Sequence, residues 1–162
     1  MAQVYVSIGS NIDKQKNISG CLQALAEQFG ALVLSPIYES EAVGFDGDNF
    51  YNLVAKFETQ LSVGELNEQL KAIEDQYGRE RSGPKFSGRT LDIDILTYDH
   101  LVGEFDGVQL PRDEITKNAF VLLPMNDIAA NEVHPELQVT YGRLWFFFDK
   151  DSQKLWQVQL SS

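Results

Sequence analysis

Two hydrophobic periods take turns along the first hundred positions of this chain. Residues 3–8 read as a strand, and Gly9-Ser10-Asn11 breaks it. Ile18, Cys21, Leu22, Leu25, Ala26 and Phe29 then recur at helical spacing, and Gly30 stops the helix. A second strand covers residues 32–38, a loop with Gly44 and Gly47 follows, and a third strand covers 51–59. Ser62 with Glu65 forms a capping box for a second helix, whose apolar stripe is Leu66, Leu70, Ile73 and Tyr77 and whose end is Gly78. After a further loop, residues 90–98 form a fourth strand. The order β-α-β-β-α-β predicts an α+β, ferredoxin-like sandwich: one antiparallel sheet with helices on one face. Near the end, Trp156, Val158 and Leu160 alternate with polar residues as in a strand.

The fourth strand carries the most informative chemistry. In Gly88-Arg89-Thr90-Leu91-Asp92-Ile93-Asp94-Ile95-Leu96, two carboxylates lie two residues apart in an apolar, β-branched run. Period-two alternation puts Asp92 and Asp94 on one face and Leu91, Ile93 and Ile95 on the other. Like charges on one face repel, and a divalent cation compensates them; Mg²⁺ is commonly held by one or two carboxylates plus substrate phosphates. The plain alternative is a solvated edge strand with both carboxylates facing water. The preceding loop, residues 79–89, shifts the balance. It holds Arg79, Arg81, Lys85 and Arg89, about a third of the 13 Lys and Arg in a chain whose net charge is −11. Arg offers a planar fork to phosphate oxygens and Lys a point charge. Pairing of these arginines with surface Asp and Glu is the competing explanation. Carboxylates for metal beside cations for phosphate is what phosphoryl transfer requires.

Composition narrows the class further. A chain of 162 residues is expected to form a single domain over 1–162. Apolar residues make up 43%, which argues against disorder. A net charge of −11 repels nucleic acid everywhere except at the basic loop, so no nucleic-acid partner is expected. No apolar run reaches the length of a membrane span, and the start enters a strand without a basic leader, so neither membrane insertion nor export is expected. The one cysteine, Cys21, falls on the apolar face of the first helix and reads as a core thiol of a cytoplasmic protein.

The Asp-x-Asp segment resembles the signature of the 6-hydroxymethyl-7,8-dihydropterin pyrophosphokinase family of folate biosynthesis. The resemblance extends to Val6-Ser7-Ile8-Gly9-Ser10-Asn11, Phe50-Tyr51-Asn52, Ile73-Glu74 with Gly78-Arg79-Glu80-Arg81, Pro111, and Phe120-Val121-Leu122-Leu123-Pro124, and it fades after about Glu136. It implies transfer of the pyrophosphoryl group of ATP to the hydroxymethyl pterin, giving AMP. It implies that Asp92 and Asp94 bind two Mg²⁺ ions bridging the ATP phosphates, with Arg81 and Arg89 catalytic beside them. It assigns Arg79, Arg81 and Arg89 to phosphate, and Lys71, Glu74 and Ile95 to the nucleotide, with Lys85 and Arg112 as further candidates on the ATP side. Phe50 and Phe120 would sandwich the pterin ring, Asn52 would bond its edge, and Ser40 and the backbone near Val43 would add contacts. The implied partners are these two small molecules. No oligomeric state is implied, a monomer being the simplest expectation. The same core is implied with additions: the 101–110 connection, helical pieces around 120–128 and 142–148, and a C-terminal strand.

Several positions depart from the family pattern. Arg112-Asp113 stands where a His and an aromatic are common. Asn118 replaces an Arg, Gly107-Val108-Gln109 replaces a basic residue, Phe86 replaces a Trp, and Ser40-Glu41-Ala42 replaces a Thr-Pro-Pro-like stretch. Two phosphate-side cations are thereby lost, with Arg112 as a partial substitute. Three functions are consistent with the residues: an active pyrophosphokinase, a diverged relative that binds pterin or nucleotide without efficient transfer, and an unrelated metal- or effector-binding module.

Overall fold

A computed structural model describes residues 1–41, 48–78 and 91–160. The expected alternation is present, with boundaries moved by local chemistry. Strand β1 spans Ala2–Ser10 and runs straight through Gly9, which the sequence marks as a break. Helix α1 spans Lys14–Phe29 and ends at Gly30, whose φ of 82° is the left-handed value glycine tolerates. The expected second strand is split into β2, Val33–Leu34, and β3, Ile37–Ser40. Pro36 has no N–H to give to a ladder, and Ser35 bridges the gap. The Ser35 N–H donates to the Val54 carbonyl and its Oγ accepts from the Val54 N–H, both at 2.9 Å. Strand β4 spans Phe50–Thr59, and helix α2 spans Val63–Gln76 behind the Ser62/Glu65 capping box, both of whose bonds are made.

Strand β5, Asp92–Tyr98, carries the paired carboxylates. The 101–110 connection is a hairpin, β6 at Gly103–Phe105 and β7 at Val108–Leu110, turned by Asp106 and Gly107 with φ of 53° and 83°. Two positive φ values in a two-residue turn match strand twist, and Asp-Gly is their usual sequence. Short helix α3 spans Glu114–Lys117, α4 Ala119–Ala129 and α5 Tyr141–Phe146. Strand β8 spans Leu155–Val158.

The main sheet has the order β5-β1-β4-β3-β8, all neighbours antiparallel, with β2 also paired to β4. One face buries Val4, Val6, Ile8, Leu53, Ala55, Phe57, Ile93 and Ile95 against Ile18, Cys21 and Leu25 of α1 and Leu66, Leu70 and Ile73 of α2. Burial, with Glu74 adding to it, pushes the Cys21 thiol up to about 12, which keeps it protonated and a packing group. The expectation of helices on one face holds for α1 and α2 only. The opposite face buries Tyr5, Val54 and Leu96 beneath Ile115, Val121, Leu122, Met125 and Tyr141, contributed by α3, α4 and α5. Two hydroxyls tie α4 and the segment after it to the sheet: Tyr5 donates to Glu132 and Tyr38 to Asp127. No helix among the described residues is long and apolar enough to cross a membrane.

Candidate active site

Alternation assigns the site to one side of the sheet. On β4, Leu53, Ala55 and Phe57 point to the α1/α2 core, so Phe50 and Asn52 lie on the other face with Val54. On β5, Ile93 and Ile95 point to the α1/α2 core, so Asp92 and Asp94 lie with Leu96 on the α4 face. Phe120, from the first turn of α4, packs against the core of that same face. Ser40 is buried and is paired to Phe50 across the β3–β4 ladder. Residues distant in sequence are thus placed on one surface by strand register.

The register also explains Gly9. One cross-strand row reads Asp92, Gly9, Asn52, Tyr38. A Cβ at position 9 would lie 2.6 Å from Asn52 Oδ1, so glycine is what lets the amide lie across β1. Two strand spacings put the Asp92 and Asn52 backbones about 10 Å apart, with Gly9 between them. The segment before Phe50 is pinned as well. Asn11 Nδ2 donates to the Asp48 carbonyl at 3.1 Å and Lys14 Nζ to the Asn49 carbonyl at 3.0 Å.

Asp94 sits between two cations, Lys71 Nζ at 3.5 Å and Arg112 Nη2 at 3.7 Å. Arg112 also bonds Glu114 at 3.0 Å, and its Nε is buried without a hydrogen-bond partner among the described residues. Burial opposes the guanidinium charge, but the carboxylates of Asp94 and Glu114 outweigh it and raise the Arg112 pKa above its ordinary value. A buried N–H without an acceptor, beside carboxylates suited to a metal, is a place for an anionic oxygen. Among the described residues no three His, Cys, Asp or Glu side chains form a cage. A strand pair of carboxylates fits Mg²⁺, which takes its remaining ligands from phosphates and water.

Two nucleotide-side expectations change. The side chain of Ile95 is 2% exposed and belongs to the α1/α2 core, so only its backbone is available to a ligand. Glu74 is fully buried and does not face outward to a nucleotide. Its Oε2 accepts from the Ile93 N–H at 2.7 Å and from Lys71 Nζ at 3.1 Å, while Lys71 also donates to the Ile93 carbonyl at 3.2 Å. β5 is an edge strand, as the plain alternative has it, but α2 covers the open edge with one acceptor and one donor at the residue between the two Asp. Glu74→Ala should therefore leave the Ile93 N–H unpaired and destabilise the fold by about 1–3 kcal/mol. Urea unfolding measures this directly, and an unchanged midpoint would mean that the bond is dispensable. Arg79, Arg81, Lys85, Arg89 and Val43 lie outside the described residues.

A mixed α/β fold with paired strand carboxylates among cations is the architecture of a phosphoryl-transfer enzyme. The pattern of the family described as 7,8-dihydro-6-hydroxymethylpterin-pyrophosphokinase matches residues 5–130, and the chain belongs to that family. The 2-amino-4-hydroxy-6-hydroxymethyldihydropteridine pyrophosphokinase of Aquifex aeolicus is 35% identical over 83% of this chain and 85% of its own length. The Haemophilus influenzae protein of the same name is 30% identical over 96% of this chain and 99% of its own length. The folic acid synthesis protein FOL1 of Dictyostelium discoideum is 37% identical over 87% of this chain, which spans 22% of that longer protein. Among solved structures, a Plasmodium falciparum HPPK-DHPS triple mutant has a TM-score of 0.70 at 14% identity, over 90% of this chain and 41% of that one. The fold is therefore shared at very low identity. Sequence reading missed Gln153, which bonds both Ala119 N and Lys117 O, because nothing local marks a glutamine as a long-range cap.

Proposed function

We propose that the chain transfers the pyrophosphoryl group of ATP to 6-hydroxymethyl-7,8-dihydropterin, releasing AMP. The observation that carries this is the shared face: Asp92, Asp94, Asn52, Phe50 and Phe120 come from three separate segments and are brought to one side of the sheet. Phe50 and Phe120 bind the flat ring, and Asn52, held in place by the absence of a side chain at Gly9, bonds its edge. Lys71 and Arg112 flank Asp94 and are positioned to meet phosphate oxygens. Asp92 and Asp94 would hold Mg²⁺, two ions in this proposal, and the bound metal would supply charge neutralisation for the phosphates. In this proposal Arg81 and Arg89 act on the same phosphates, with Arg79 and Lys85 as further cations for ATP.

The ferredoxin-like description belongs to the same proposal. Leaving out the short β2, the order β5-β1-β4-β3 is that of a βαββαβ sheet with its last strand beside the first. A single domain over 1–162 is supported by β1 and β8, from opposite ends of the chain, lying in one sheet. A monomer in the cytoplasm completes the proposal.

The test is product identity. ATP, Mg²⁺ and the pterin should yield AMP in stoichiometric amounts; ADP would indicate single phosphoryl transfer, and no nucleotide turnover would indicate a binding protein. Within this scheme Arg89→Ala should lower kcat by about a hundredfold and change the KM for ATP little, because charge stabilisation at the transition state is the step it serves. A normal kcat in that variant removes Arg89 from the mechanism.

A further inference from the structure

We propose that Gln153, beyond the segment matched by the family pattern, is a positioning residue that sets the pterin-side geometry of Phe120. The inference rests on the pterin pocket proposed above. Helix α4 begins at Ala119, and its N-cap residue Asn118 makes no side-chain capping bond. The first N–H groups of a helix have no intrahelical acceptor and need one from elsewhere. Gln153 supplies it from thirty-four residues away. Its Oε1 accepts from the Ala119 N–H at 2.8 Å, and its Nε2 donates to the Lys117 carbonyl at 2.8 Å. One amide thus clasps both sides of the α3–α4 junction, a single residue before Phe120.

Gln153 is itself fixed. It follows the Lys150–Ser152 3-10 turn, and two residues later Leu155 pairs with Ser40 across the β8–β3 ladder. Ser40 in turn pairs with Phe50. The C-terminal segment therefore links, within three residues, the sheet edge that carries Ser40 and Phe50 to the helix start that carries Phe120. An open pocket of about 370 Å³ lies at this junction, with Ser40, Ala119, Phe120, Gln153 and Leu155 in its wall; it adjoins Phe120, and Phe50 and Asn52 are not part of its lining. A stacked ring loses contact steeply with a gap of half an ångström to one ångström. The clasp is short, doubly bonded and adjacent to the ring, so its loss is felt there first.

The experiment compares wild type, Gln153→Met and Gln153→Glu. Methionine keeps the length and loses both bonds. Glutamate keeps the acceptor for Ala119 N–H but loses the donor to Lys117. Pterin dissociation constants come from fluorescence titration, and KM and kcat from AMP formation. Gln153→Met should raise the pterin Kd and KM about three- to fivefold, less than removal of the Phe120 ring, with kcat and the KM for ATP within twofold of wild type. Gln153→Glu should fall between the two. A variant that folds and keeps the wild-type pterin constants overturns the inference, as does a uniform loss in kcat and both KM values, which a purely structural role produces. Should Gln153→Met not fold, Gln153→Glu decides by the same criteria. Wild-type protein that binds no pterin overturns the pocket itself, and wild-type binding with unchanged variants overturns the inference alone.

Discussion

Asp92→Ala and Asp94→Ala should each lower AMP formation by roughly a hundred- to a thousandfold. A carboxylate that holds a divalent ion governs several kcal/mol of transition-state charge stabilisation, and each 1.36 kcal/mol is about a factor of ten in rate. Asp94 lies between Lys71 and Arg112, at 3.5 and 3.7 Å, and its removal leaves those two cations facing each other. The Asp94 variant should accordingly bind inorganic triphosphate no more weakly than wild type in the absence of Mg²⁺, while its rate with Mg²⁺ and ATP collapses. Initial rates over a Mg²⁺ titration, with circular dichroism as a check on folding, measure the effect. Near-normal rates in both variants would show that the metal is held elsewhere.

Phe120→Ala should weaken pterin binding by about tenfold or more. Stacking on an aromatic side chain is worth about 1–3 kcal/mol per face. Phe120 is only partly buried, so most of its loss should be read in ligand affinity rather than in unfolding. Leu122, two residues on and 1% exposed in the α4 core, provides the contrast. Leu122→Ala should cost about 2–5 kcal/mol of stability and leave the pterin affinity of the folded fraction largely intact. Titration calorimetry with the pterin and thermal unfolding separate the two quantities. Unchanged pterin affinity in a folded Phe120→Ala protein would place the ring outside the binding site.

The local elements were legible in the sequence because each rests on neighbours within a few residues. The Ser62/Glu65 box, the Gly30 stop and the alternation that puts Asp92 and Asp94 on one face are properties of helices and strands wherever they sit. The Asp106-Gly107 dipeptide is likewise a local hairpin signal, and the structure realises it between β6 and β7. Tertiary structure decided the rest. Period two says that Asp92 and Asp94 share a face, but not which face. Only packing of Ile93 and Ile95 against α1 and α2 turns the carboxylates toward α4. Glycine within a strand is a break or a site of close approach, and only the Gly9–Asn52 register distinguishes the two. Glu74, assigned to the nucleotide by the resemblance, is buried because β5 brings the Ile93 N–H to it. Gln153 acquires its role from contacts more than thirty residues away, and hydrogen bonds at that separation leave no periodic trace in a chain.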